Sequence, residues 1–128
     1  MRLPVTALYG AILALLLTAL AINVTVHRAK TGVPLGPGDN PLMLRMMRLH
    51  GNAAEYVPIS LLLMALYELD GGGHVLLHVI GVTLVVARVL HAWGLARSTA
   101  PNFGRGVGQT LTWAVIVVLA ILNLRQVL

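Results

Sequence analysis

Arg45, Arg48, Asn52 and Glu55 stand at a spacing that can do chemistry. On a helix, 100° per residue gathers them within roughly one quarter of the circumference, with Tyr56 beside the arc and His50 on the opposite side. The pattern i, i+3, i+7, i+10 is that of a helix seam facing partner helices, but here the seam is charged. Counted from Pro41, Glu55 lies roughly 20 Å into its helix, where a lone ionised group costs about 2.5–3.5 kcal/mol. The stripe should therefore face protein or a watery cleft. A purely structural salt-bridge network would also place charges this way, and Arg45 alone could reach back to the headgroups.

A second pair adds to the stripe. Arg88 and His91 are spaced i, i+3 and share a helix face. If their helix runs antiparallel to the first, both pairs meet in one leaflet, and Arg105 joins them at that level. The result is a cationic pocket edged by Asn, Glu, Tyr and His. Such a pocket suits an anionic ligand bearing carboxylates, which arginine forks bind in pairs of hydrogen bonds.

The elements that must hold this pocket are read from hydropathy. Val5 to His27 is an almost uncharged run long enough to span a bilayer. Ala19-Leu20-Ala21 offers a signal-peptide alternative, but the apolar run continues to a basic flank at Arg28 and Lys30. Thr31 to Asn40 is a Gly/Pro loop, and Asn40-Pro41 reads as an N-cap followed by proline at the first helical position. The second helix is expected over 41–69, the third over 74–96 after Asp70-Gly71-Gly72-Gly73, and the fourth over 109–124. The Gly104-Arg105-Gly106-Val107-Gly108 stretch reads as a flexible connection. Short connections make successive helices antiparallel. The expected fold is all-α: one domain, residues 1–128, a transmembrane four-helix bundle. The basic residues put the first and third loops in the cytoplasm and both termini outside.

Composition agrees and excludes several functions. The chain has 128 residues, 58% hydrophobic and 10% charged, against about 25% charged in a soluble domain. No room remains for a soluble catalytic domain, so any chemistry sits among the helices. The net charge of +5 comes from basic residues scattered over helix ends. It points to topology and anionic headgroups, not to nucleic acid. The absence of cysteine excludes disulfides, cysteine metal sites and an intrinsic thiolate.

The run Arg45-Met-Met-Arg48-Leu-His-Gly-Asn52-Ala-Ala-Glu55-Tyr56-Val-Pro58 resembles the signature of the MAPEG family, the membrane-associated proteins of eicosanoid and glutathione metabolism. Arg88-Val-Leu-His91 is similar to the third-helix motif of the prostaglandin-synthase branch, and His50-Gly51 before Asn52 to small bacterial members. The resemblance implies a homotrimer, in a bacterial inner membrane, with glutathione bound between subunits near the cytoplasmic face. By motif position it implies that Arg48, Asn52, Glu55 and Tyr56 bind glutathione, with His91 across from them and Arg45 and Arg88 adding positive charge. Arg105 is the candidate for the arginine that stabilises the thiolate, with Arg97 as the alternative. A cation there would raise the thiolate fraction available for attack, and the thiol would be the ligand's own. Leu95 stands where several relatives have a tyrosine.

The reading that follows is a glutathione transferase or peroxidase acting on a lipophilic small molecule from the bilayer. The alternatives are a non-catalytic glutathione- or lipid-binding protein of the same fold, and a small proton-coupled transporter using Glu55. Arginines that hold Glu55 ionised speak against the transporter. His74 and His78, at i, i+4 near Glu68 and Asp70, have a spacing that can bind zinc, but interfacial histidines are the plainer reading and no metal is expected.

Overall fold

The computed structural model describes residues 2–98 and 100–128. It consists of four helices, α1 (Pro4–Thr31), α2 (Pro41–Leu69), α3 (His74–Arg97) and α4 (Phe103–Val127), with no strand among the described residues. α1, α3 and α4 are each long and apolar enough to cross a membrane. α2 is as long but carries the polar stripe, and it packs against all three of the others.

The helix ends explain the boundaries. α2 starts as its sequence dictates: the Asn40 Oδ1 accepts from the Leu42 and Met43 N–H groups at 3.0 and 3.1 Å, with Pro41 next in line. α1 has no such residue, because Leu3 at its N-cap carries no acceptor. Its free N–H groups are met from the end of α2, where the buried Glu68 carboxylate accepts from Val5 N at 2.9 Å and Thr6 N at 2.8 Å. Helix N-termini favour such a negative charge. This fixes α1 antiparallel to α2. Glu68 is thereby committed to α1, and His78 meets the Tyr9 hydroxyl at 3.0 Å. Two of the four groups that suggested zinc, Glu68 and His78, thus have separate partners, and no cluster of three metal-ligating side chains occurs among the described residues.

The fourth helix corrects the sequence reading. It starts at Phe103, six residues before the expected Gln109, and the glycine-rich stretch is helical. The Asn102 side chain caps it, accepting from Arg105 N at 3.0 Å while donating to the Gly94 carbonyl of α3 at 2.9 Å. The glycines serve close packing of α4 on α3. A methyl group on Gly94 would strike the backbone nitrogen of Arg105, and one on Gly108 would strike the Ala87 carbonyl and the His91 backbone. Small residues at a helix interface let the backbones approach within membranes.

The interior is layered. Val5, Tyr9, Leu13, Val57, Met64, Leu77, Ile80, Leu84, Val115 and Leu119 form one apolar cluster. Met43, Met46, Leu49 and Leu95 form another, toward the opposite end. Between them lies a polar layer made of Asn52, Arg88, His91 and Thr112.

Candidate functional site

The polar layer is built around Arg88. Its side chain is only 1% exposed, and a buried cation is tolerable only with good acceptors. Arg88 Nη2 donates to Asn52 Oδ1 at 2.6 Å, and Nη1 reaches Thr112 Oγ1 at 3.4 Å. Thr112 donates to the Gly108 carbonyl at 2.8 Å, as a helical threonine can. His91 Nδ1 lies 3.4 Å from Arg88 Nη2. A guanidinium only donates, so Nδ1 is the acceptor in this contact and Nε2 carries the ring proton. That proton is the one His91 can offer to a ligand.

Two adjoining clefts open over this layer. The larger, about 490 Å³, runs between α2 and α4 and is lined by Asn52, Tyr56, His91, Pro101, Asn102, Arg105, Gly106, Gln109, Thr110 and Trp113. The smaller, about 160 Å³, is lined by Leu44, Arg45, Arg48, Asn52, His91, Leu95 and Arg105. Asn52, His91 and Arg105 belong to both. The two clefts therefore form one continuous surface, cationic at one end and bounded by Trp113 at the other.

The residues singled out in the sequence divide accordingly. Arg48, Asn52, Tyr56, His91 and Arg105 meet at the clefts. Arg45 also lines the smaller cleft, but its Nη1 donates to the Ala96 carbonyl at 3.0 Å, which ties α2 to the C-terminal end of α3. Arg88 lines neither cleft and stands behind Asn52, so its part is to orient that amide. Glu55 lines neither cleft and is exposed on α2. Arg97 stacks on the Trp93 ring, 4.0 Å from its centroid, away from the clefts. Of the two arginines weighed in the third loop, only Arg105 reaches the site.

Sequence reading missed the contribution of α4. Gln109 and Thr112 follow Arg105 at i+4 and i+7 and share its face. The signal was Asn102, an N-cap residue three positions before Arg105. Reading it as a cap puts Arg105, Gln109 and Thr112 on one helical face. Trp113 also lines the larger cleft.

Chemically, the surface offers fixed cations, an oriented amide, a phenol and an imidazole N–H around a space large enough for a small peptide-sized anion. The chain is 32% identical over 120 residues to the inner membrane protein YecN of Escherichia coli strain K12, covering 94% of this chain and 90% of that protein. The same values hold for YecN of Escherichia coli O6:H1 strain CFT073. The MAPEG family pattern matches residues 6–125, nearly the whole chain. The chain belongs to the MAPEG family.

Proposed function

We propose that the protein binds glutathione in the joined clefts and presents its thiolate to a lipophilic electrophile reaching the site from the bilayer. The observation that carries this reading is the convergence of Arg48, Arg105, His91, Asn52 and Tyr56 on one surface. Glutathione carries two carboxylates, and arginine forks match them. Arg105 stands in both clefts and is the group that would stabilise the thiolate, since a neighbouring cation lowers a thiol pKa. Attack by that sulfur on an electrophilic carbon forms the thioether and releases the leaving group. No protein cysteine is required.

The same reading includes a homotrimer with the site at subunit boundaries. Leu44, Arg48, Glu55, Ile59, Leu62 and Leu66 are all exposed along one side of α2, a seam-like spacing. Two charged residues on this seam could not face lipid cheaply, and neighbouring copies would supply partners for Arg48 and Glu55. The basic end of the bundle, with Arg28, Lys30, Arg45, Arg48, Arg97 and Arg105, would face the cytoplasm.

The test is conjugation. Detergent-purified protein, glutathione and a hydrophobic aryl halide should give a thioether product. Arg105→Ala should lower the rate by about 100-fold or more, in the range seen when one charge-stabilising group is removed. Glutathione binding with no product from any electrophile tried would favour the non-catalytic alternative.

A further inference from the structure

Gln109 has a feature that no other cleft residue shares. Both polar atoms of its amide, Oε1 and Nε2, are enclosed, and neither has a hydrogen-bond partner among the described residues. Buried amides are nearly always paired, and leaving one unpaired is costly. The side chain lines the larger cleft together with Tyr56, His91 and Arg105. It follows Arg105 by one helical turn, a rise of about 6 Å, on the same face of α4.

We infer that the Gln109 carboxamide pairs with the backbone N–H and C=O of the cysteinyl residue of the bound thiol ligand, beside the sulfur held at Arg105. This rests on the glutathione reading and names how that ligand is told from other thiols. A carboxamide presents one acceptor and a donor side by side. The N–H and C=O of one extended residue point the same way and complement it, whereas those of a single trans peptide group point apart. In a cysteinyl residue both lie a few bonds from the sulfur. A thiolate at Arg105 therefore brings the flanking peptide groups within reach of a side chain one turn along the helix. Simple thiols have nothing to offer this amide. Gln109 is thus a specificity residue for peptidic thiols: rotation of its side chain turns the enclosed amide into the cleft when such a ligand binds, and its unpaired state is relieved there.

The experiment compares wild type and Gln109→Met in detergent. Methionine keeps the length and loses both hydrogen-bonding groups. Glutathione affinity is measured calorimetrically, and turnover is measured with glutathione and with ethanethiol, which has a thiol and no other hydrogen-bonding group. Thermal midpoints are measured without ligand. Gln109→Met should bind glutathione about ten-fold more weakly or worse, as expected for losing neutral hydrogen bonds. Its loss of turnover should be about ten-fold greater with glutathione than with ethanethiol, and its ligand-free midpoint should not fall, because no protein partner is lost. Unchanged glutathione affinity would overturn the inference. So would an equal loss with both thiols, or a change confined to the KM of the electrophile. A lower ligand-free midpoint in Gln109→Met would assign the amide to the protein's own packing and overturn it as well. Failure of wild type to bind glutathione would instead overturn the site reading itself.

Discussion

Arg88 donates to Asn52 across the α2–α3 interface at 2.6 Å, the shortest contact of a cation that is almost wholly enclosed. The bond joins the two motifs noted in the sequence, one on each helix, and fixes the Asn52 amide at the floor of both clefts. An energetic asymmetry follows. Asn52→Ala strips a buried cation of its best acceptor, which should cost about 3 kcal/mol, whereas Arg88→Met removes the cation as well and should cost less. Thermal unfolding of both variants in one detergent checks the order.

The α3–α4 contact should discriminate sharply between glycines. Gly108→Val places side-chain atoms against the Ala87 carbonyl and the His91 backbone, and should destabilise by at least about 2 kcal/mol. Gly106 has open space where a Cβ would stand, so Gly106→Ala should be neutral or stabilising by up to about 1 kcal/mol. The Gly108→Val unfolding midpoint should fall, and that of Gly106→Ala should hold or rise.

At the other end of the bundle, Glu68 replaces the cap that Leu3 cannot supply. Glu68→Ala leaves the Val5 and Thr6 N–H groups without their acceptor and should cost about 1–2 kcal/mol. Hydrogen exchange should show the loss as fraying confined to the first turn of α1, with glutathione binding retained because the clefts lie at the opposite end.

The fold was largely legible from sequence, and the reasons are physical. Asn40-Pro41 and Asp70-Gly71-Gly72-Gly73 mark helix ends by local chemistry, and the structure uses them so. The fourth helix was misplaced because glycine lowers helix propensity. What outweighs that propensity is close packing on Gly94 and Ala87, a tertiary effect, and the local signal that marked the start was the Asn102 cap. Glu68 was likewise unreadable, since its partner lies more than sixty residues away. Gln109 was lost with the helix boundary: in a loop it has no defined face, and in α4 it shares one with Arg105.

Arg105 and Arg97 should separate cleanly in activity. Arg97 rests on Trp93 outside the clefts, so Arg97→Ala should leave conjugation within about two-fold of wild type, since it removes only an exposed cation–π contact worth about 0.5–1 kcal/mol. Arg105→Ala should lower kcat much more than it weakens glutathione binding, because its effect is exerted on the thiolate that reacts. Steady-state kinetics with glutathione varied at fixed electrophile gives both parameters.

The central claim is that the joined clefts are a glutathione site, and a calorimetric titration of the purified wild-type protein with glutathione tests it most directly. Saturable binding that weakens by about ten-fold or more in Arg48→Ala, as expected when a charge-assisted hydrogen bond is lost, is the result this account predicts. No heat of binding from the unmutated protein, or binding that Arg48→Ala leaves untouched, would contradict it.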